Sequence, residues 1–404
     1  MDPRPKRIFL HVGAPKTGTS QVQDLLFLNR HELVEQGVLH PAEVFDDQFI
    51  AALDLLGKKW GGLEQRAPGA WSRLVAQVNE FSGHTVVVSH EVFAGATAEQ
   101  AGRALGELDG EVHVVCSARD LRRQVPAEWQ EGVKHRRAIS YAAFCADLTS
   151  DRPRTEFARW FWTVQDVPAV LARWGAQLPP ERVHLVTVPP SGAPPDLLVD
   201  RFLGLFGIDR AWLPHGSGRS NASMGAAETT VVRRLNERLP PAELDGEIYR
   251  PYVRELLVHR RLAGRRDSVR LTLPSDLDDW VMQRSQQWTR ELGAAGYDVV
   301  GDLAELAPGP PSGAWYDPDA APAEDQLGAA LDIAETLLRE IAALEARHRA
   351  ELEEHRAALE EALRPPPSRW MRAKQRFVGF AETNPVAGAI LTAYRWLLRR
   401  PPPA

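Results

Sequence analysis

The sequence is poor in cysteine, with Cys116 and Cys145 the only two in 404 residues. Cys116 lies inside an apolar run that reads as a buried strand, so a disulfide framework is not expected. Charge of one sign is lacking too: 48 Lys and Arg stand against 54 Asp and Glu, a net charge of -6. A chain so balanced has no global attraction for nucleic acid or for an anionic membrane, so any basic site must be local. Long hydrophobic runs are also missing. The first apolar stretch, after Arg4, Lys6 and Arg7, covers only residues 8–12, too short for a signal peptide or a membrane span. No His/Cys cluster shows metal-ligand spacing, and no metal is expected. What is left is a chain long enough to bury a full core, with a cytoplasmic location as the expectation.

Against these absences stands one dense feature, Gly13-Ala14-Pro15-Lys16-Thr17-Gly18-Thr19-Ser20. The run before it reads as a buried strand, and residues 21–36 carry Val22, Leu25, Leu26, Leu33 and Val34 near helical spacing. The loop therefore joins a strand to a helix start, where backbone N–H groups lack intrahelical partners and the helix dipole is positive. That is the chemistry of an anion cradle.

Three further short runs read as strands, over residues 85–89, 112–117 and 183–188, separated by longer helix-forming segments. Strands apolar on both faces and divided by helices indicate a mainly parallel sheet covered on both sides. In such an α/β fold ligands bind at the carboxyl ends of strands. The first strand ends at the Lys16 loop, the second at His90-Glu91 and the third at Arg119-Asp120, which brings lysine, imidazole, carboxylate and guanidinium to one edge. Trp60, Trp71, Trp129, Trp160, Trp162 and Trp174 are expected mainly in the core, with one or two available to line a cleft.

In the nucleotide P-loop the lysine follows the last glycine; here Lys16 precedes Gly18, and hydroxyl residues surround that glycine. The run resembles instead the 5′-phosphosulfate loop of sulfotransferases that use 3′-phosphoadenosine 5′-phosphosulfate (PAPS). The resemblance implies a P-loop-like three-layer α/β fold over residues 1–307 and PAPS as co-substrate. It also implies that Lys16 contacts the phosphosulfate near its bridging oxygen, while Gly13, Thr17, Gly18, Thr19 and Ser20 form the cradle. The segment Ser117-Ala118-Arg119-Asp120-Leu121 resembles the family's 3′-phosphate site, with Arg119 as the bidentate contact. The family pattern places a serine eight residues further on, where this chain has Ala127. The loop over residues 216–225 resembles the family's late closing loop and offers Arg219; equally, its Ser and Asn residues suit a flexible connection that caps the next helix.

A general base must reach the acceptor hydroxyl, and His or Glu can serve. The family uses a histidine after the corresponding strand or a glutamate after the first helix. His90 and Glu91 are the first candidates, with His40 and Glu43 the alternatives. The resulting expectation is in-line sulfuryl transfer to a hydroxyl of a glycan, lipid or small metabolite. A kinase is disfavoured by the position of Lys16, and no acidic strand end clearly offers a magnesium ligand. A non-catalytic nucleotide-binding or scaffold protein on the same fold stays open because of Ala127.

Residues 308–325, rich in Pro, Gly and Ala, read as a linker. Residues 326–364 read as a long charged helix, whose heptad register through Leu338, Ile341, Glu345, His348, Leu352, His355 and Leu359 is polar at three seam positions. It suits a solvated helix or an oligomerisation helix, and homo-oligomers through it are one expectation. Residues 365–404 form a basic tail with interspersed aromatics, suited to peripheral contact with an anionic membrane or to docking on the domain.

Overall fold

The computed structural model describes residues 5–398 except 61, 217–222, 267, 312–314 and 364–367. Ile8, Leu10 and Val12 enter one hydrophobic core and Phe9 the other, the period-two alternation of a strand covered on both faces. The same division sends Val86, Val88, Val112 and Val114 to the first core and Val87, Val115 and Val186 to the second. Six strands result: β1 (Arg7–Gly13), β2 (Val38–Leu39), β3 (Thr85–Ser89), β4 (Glu111–Ala118), β5 (Val183–Thr187) and β6 (Asp298–Val300). All pair in parallel, in the order β2-β3-β1-β4-β5-β6. The protein is thus a three-layer α/β structure. The expected fourth strand ends at Thr187, and β2 and β6 are additional.

Helix α1 (Ser20–Leu28) packs Val22, Leu25 and Leu26 against Phe9 on one face of the sheet. On the other face the Leu121–Lys134 helix contributes Leu121, Val125, Trp129 and Val133. The helical pattern over residues 21–36 is broken at Asn29. Its Nδ2 donates to the Leu25 and His215 carbonyls, both at 2.8 Å, and its Oδ1 accepts from the His215 N–H at 2.8 Å. A side chain that supplies both backbone groups of a distant residue ends α1 there, and a separate Arg30–Glu35 helix follows. Trp71, Trp129 and Trp174 are buried, whereas Trp60, Trp160 and Trp162 are half-buried.

From β1 the chain moves to β2 and β3 on one side; from β3 it crosses to β4 and continues to β5 and β6 on the other. The connections leaving β1 and β4 therefore diverge, and a crevice opens at the carboxyl ends of these two neighbours.

The chain divides into two compact units, Met1–Thr336 and Leu337–Ala404. The long charged helix runs Ala323–Ala362, with Leu338, Ile341, Leu352 and Leu359 exposed. Two shorter helices follow, Arg369–Thr383 and Pro385–Leu398. Among the described residues no helix is long and apolar enough to cross a membrane.

Candidate functional site

The loop after β1 is held in place by contacts from the strands and helices around it. A Cβ on Gly13 would lie 2.8 Å from the Ala94 Cβ, so only glycine permits this approach. The Ala14 N–H donates to the Ser117 carbonyl at 2.9 Å, and the Pro15 carbonyl accepts from the side-chain amides of Gln124 and Gln165 at 2.6 and 2.9 Å. Lys16 and Gly18 both adopt left-handed backbone, φ 60° and 85°. For Lys16 this costs about 1 kcal/mol, a strain typical of ligand loops. The backbone N–H groups of Lys16, Thr17, Gly18, Thr19 and Ser20 donate to no acceptor among the described residues. Five consecutive unused donors at the start of α1 are an arrangement that can take an anion.

The hydroxyls divide their work. Thr17 is buried and donates to the Ala14 carbonyl at 2.6 Å, with the Ser117 hydroxyl also 2.6 Å away. Its side chain shapes the loop, leaving its backbone N–H for a ligand. Thr19 is buried, Ser20 exposed.

Lys16 reaches across the crevice and pairs with Glu131 at 3.0 Å. That carboxylate, ahead of the opposing effect of burial, raises the ammonium pKa. Glu131 also meets Lys134 at 3.4 Å, His135 at 3.2 Å and Arg254 at 3.8 Å. Burial acts to raise the Glu131 pKa, but Lys16, His135 and Lys134 outweigh it and hold the carboxyl well below its ordinary range. One turn earlier, Glu128 accepts from the Gln165 amide at 2.7 Å. Burial pushes its carboxyl up to about 7, opposed by Lys16 and reinforced by Glu131.

At the end of β4, the Arg119 Nε donates to Gln124 at 2.8 Å and its Nη2 to the Arg123 carbonyl at 3.0 Å. It has no carboxylate within ion-pair distance among the described residues. Burial, then Arg123, lowers its pKa to about 10, with Arg270 adding a smaller effect of the same sign; the guanidinium stays charged at neutral pH. Gln124 thus connects the Pro15 carbonyl to Arg119, setting the two halves of the crevice relative to one another. Neighbouring Arg123 pairs with Asp120 and with the Pro189 carbonyl. Ala127 is half-buried on the same helix.

After β3, the Val92 N–H donates to His90 Nδ1 at 3.2 Å, so the neutral ring carries its proton on Nε2. Burial lowers the His90 pKa and keeps it neutral at physiological pH. Glu91 accepts from the Gln23 amide at 3.1 Å. Burial would raise its pKa, but His90 and Gln23 leave it net lowered and ionised. An aromatic wall continues from here: His90 stacks on Phe49 at 4.8 Å, Phe49 meets Trp60 edge-on at 5.7 Å, and Trp60 meets His135 at 5.2 Å. Contacts therefore run without a break from His90 round to Glu131 and Lys16.

The alternatives to this pair are placed differently. His40 is buried, bonded to the Val87 carbonyl at 3.0 Å and to Gln48, while Glu43 is exposed. Both border a separate surface depression at the β2 edge of the sheet. Arg219 lies outside the described residues. Its flanks are anchored by His215 on Asn29 and by the Met224 carbonyl on Gln130 of the Leu121–Lys134 helix.

Sequence reasoning missed Gln124, Glu128, Glu131, Lys134 and His135. They recur three or four residues apart after a strand end, the spacing of one helix face, and that polar stripe was the available signal. Gln23, Gln165, Phe49 and Arg254 carry no comparable local mark.

Fold and site together define an α/β protein in which a loop of unused backbone donors, Lys16 and Arg119 meet at the sheet reversal. No protein-family model matches the chain, and comparison with curated proteins finds no match. Among solved structures it is similar to a sulfotransferase from Alicyclobacillus acidocaldarius, at 17% identity and a TM-score of 0.36, over 60% of this chain and 96% of that one. It is also similar to the sulfotransferase domain from the Curacin biosynthetic pathway, at 12% identity and a TM-score of 0.29, over 53% of this chain and 80% of that one.

Proposed function

We propose that this protein is a sulfotransferase that takes PAPS as co-substrate and moves its sulfuryl group to an acceptor hydroxyl. The observation that carries the reading is Arg119, charged and without a carboxylate partner among the described residues, one strand away from a loop of five backbone donors with no acceptor among them. Two separate anion sites on adjacent strand ends suit a nucleotide with phosphate groups at both its 5′ and 3′ positions. The order of Lys16 and Gly18 favours a phosphosulfate over a triphosphate.

In this scheme the loop donors and Lys16 bind the 5′-phosphosulfate and Arg119 binds the 3′-phosphate. Lys16 exchanges Glu131 for the co-substrate and then stabilises the charge that grows on the leaving phosphate oxygen. The acceptor hydroxyl approaches along the His90, Phe49 and Trp60 wall, and its oxygen displaces the bridging oxygen at sulfur. Glu91, ionised and oriented by Gln23, receives the hydroxyl proton. His90 donates from Nε2 and positions the acceptor. The products are a sulfate ester, adenosine 3′,5′-bisphosphate and a proton on Glu91. Positioning and charge stabilisation carry most of the work, as in phosphoryl transfer.

The test is release of adenosine 3′,5′-bisphosphate from PAPS in the presence of a panel of hydroxyl-bearing glycans, lipids and small metabolites. Glu91→Gln should lower kcat about a hundredfold or more while leaving the KM for PAPS in place; unchanged turnover would remove Glu91 as the base. Intact bisphosphate binding with no turnover on any acceptor would favour a binding protein on this fold.

A further inference from the structure

The C-terminal helices Arg369–Thr383 and Pro385–Leu398 pack against each other through small residues. Ala381 and Ala387 are buried, and a Cβ on Gly388 would lie 3.0 Å from the Ala381 carbonyl oxygen. The turn between them is set by Asn384, whose Oδ1 accepts from the Val386 and Ala387 N–H groups at 3.0 and 3.2 Å. A contact made by small side chains leaves the large ones outside. Trp370 is 64% exposed and Val386 70%, and Phe377, Phe380, Ile390 and Trp396 are exposed as well.

Trp370, Phe377 and Phe380 recur at spacings of seven and three, one stripe of the first helix. The second helix carries one charge, Arg395, in 14 residues. A helix so apolar on all sides needs a cover, yet at 14 residues it spans only about 21 Å, short of the hydrocarbon thickness. Over residues 369–398 the cations Arg369, Arg372, Lys374, Arg376 and Arg395 face a single acid, Glu382.

We propose that this helical hairpin is a docking surface for an anionic membrane, lying in the interface rather than crossing it. Charge selects this occupant. A second copy of the hairpin would bring two strongly basic segments together, whereas an anionic lipid surface attracts each of them, at about 1 kcal/mol per cation. The exposed aromatics suit the headgroup boundary, where a ring can bury its apolar body and keep its polar edge wet.

The experiment is flotation of the full-length protein with vesicles of phosphatidylcholine alone or mixed three-to-one with phosphatidylglycerol. The protein should float with the mixed vesicles, with partition weakening as salt rises. The triple variant Arg372→Gln, Lys374→Gln, Arg376→Gln should weaken that partition about a hundredfold. Trp370→Ser with Phe380→Ser should abolish it, with helicity by circular dichroism retained. Failure to float with the mixed vesicles would overturn the proposal. Equal binding to both vesicle types would overturn its electrostatic part, and concentration-dependent self-association abolished by the Ser variants, without vesicle binding, would assign the face to a second copy.

Discussion

Replacing Arg119 by alanine should separate the two anion sites of the crevice. The guanidinium has five N–H donors, of which the structure commits one to Gln124 and one to the Arg123 carbonyl. A phosphate can take two of the rest. Charge-assisted hydrogen bonds contribute about 1.5 to 3 kcal/mol each, so the wild-type protein should prefer adenosine 3′,5′-bisphosphate over adenosine 5′-phosphate by about 3 to 6 kcal/mol. That is roughly two to four orders of magnitude in Kd. In Arg119→Ala the preference should collapse to within about tenfold while 5′-phosphate affinity persists, because Gln124 keeps its bond to Pro15. Calorimetric titration of both ligands against both proteins reads this directly. The variant leaves Gln124 and the Arg123 carbonyl without a donor, a loss of about 1 kcal/mol of stability that a denaturant midpoint would register separately. If both ligands weaken equally, or the preference survives, Arg119 does not hold a 3′-phosphate.

Three other outcomes follow from the same contacts. Glu131→Gln removes the carboxylate that Lys16 must leave, so bisphosphate binding should tighten about fivefold, the worth of about 1 kcal/mol for a partly exposed pair, with some loss of stability from the unopposed Lys16, Lys134 and Arg254; weaker binding would contradict this. Glu128, with its folded pKa raised to about 7, is disfavoured as its unfolded form ionises first. Its penalty of about 3 kcal/mol therefore grows as pH rises from about 4.5 to 7, and Glu128→Gln should stabilise the protein at pH 8 far more than at pH 5, by urea denaturation. His11 and His40 are buried and held down to about 4, so the stability they allow above pH 6.5 is lost as pH falls towards 4. About 2 kcal/mol each should be gone by pH 5, and a flat stability profile between pH 7 and 5 in Glu128→Gln, where the opposing carboxyl is absent, would refute their burial as neutral rings.

The long strands were legible because a parallel strand buried on both faces is mostly apolar, as residues 8–12 and 183–187 are apart from His11, His184 and Thr187. β2 and β6, of two and three residues, carry too little pattern and exist through pairing with β3 and β5. The strand order depends on crossovers that no local run encodes. The loop could be read because its demands are local: a close approach at Gly13, a left-handed turn at Gly18, donors before a helix. Arg119 could be read from its place after a strand. The Lys16–Glu131 pair spans 115 residues of chain, and the Gln165 contact to Pro15 spans 150; such partners are set by packing alone. Asn29 shows the converse, a residue compatible with a continuing helix that ends it to hold His215.

On the proposed function, the crevice between β1 and β4 holds a PAPS-type nucleotide. Calorimetric titration of the full-length protein with adenosine 3′,5′-bisphosphate, and in parallel with ATP plus magnesium, tests it most directly. One bisphosphate site is expected, tighter than any ATP binding and lost in Lys16→Ala. A preference for ATP with magnesium, or bisphosphate binding indifferent to Lys16→Ala, would contradict it.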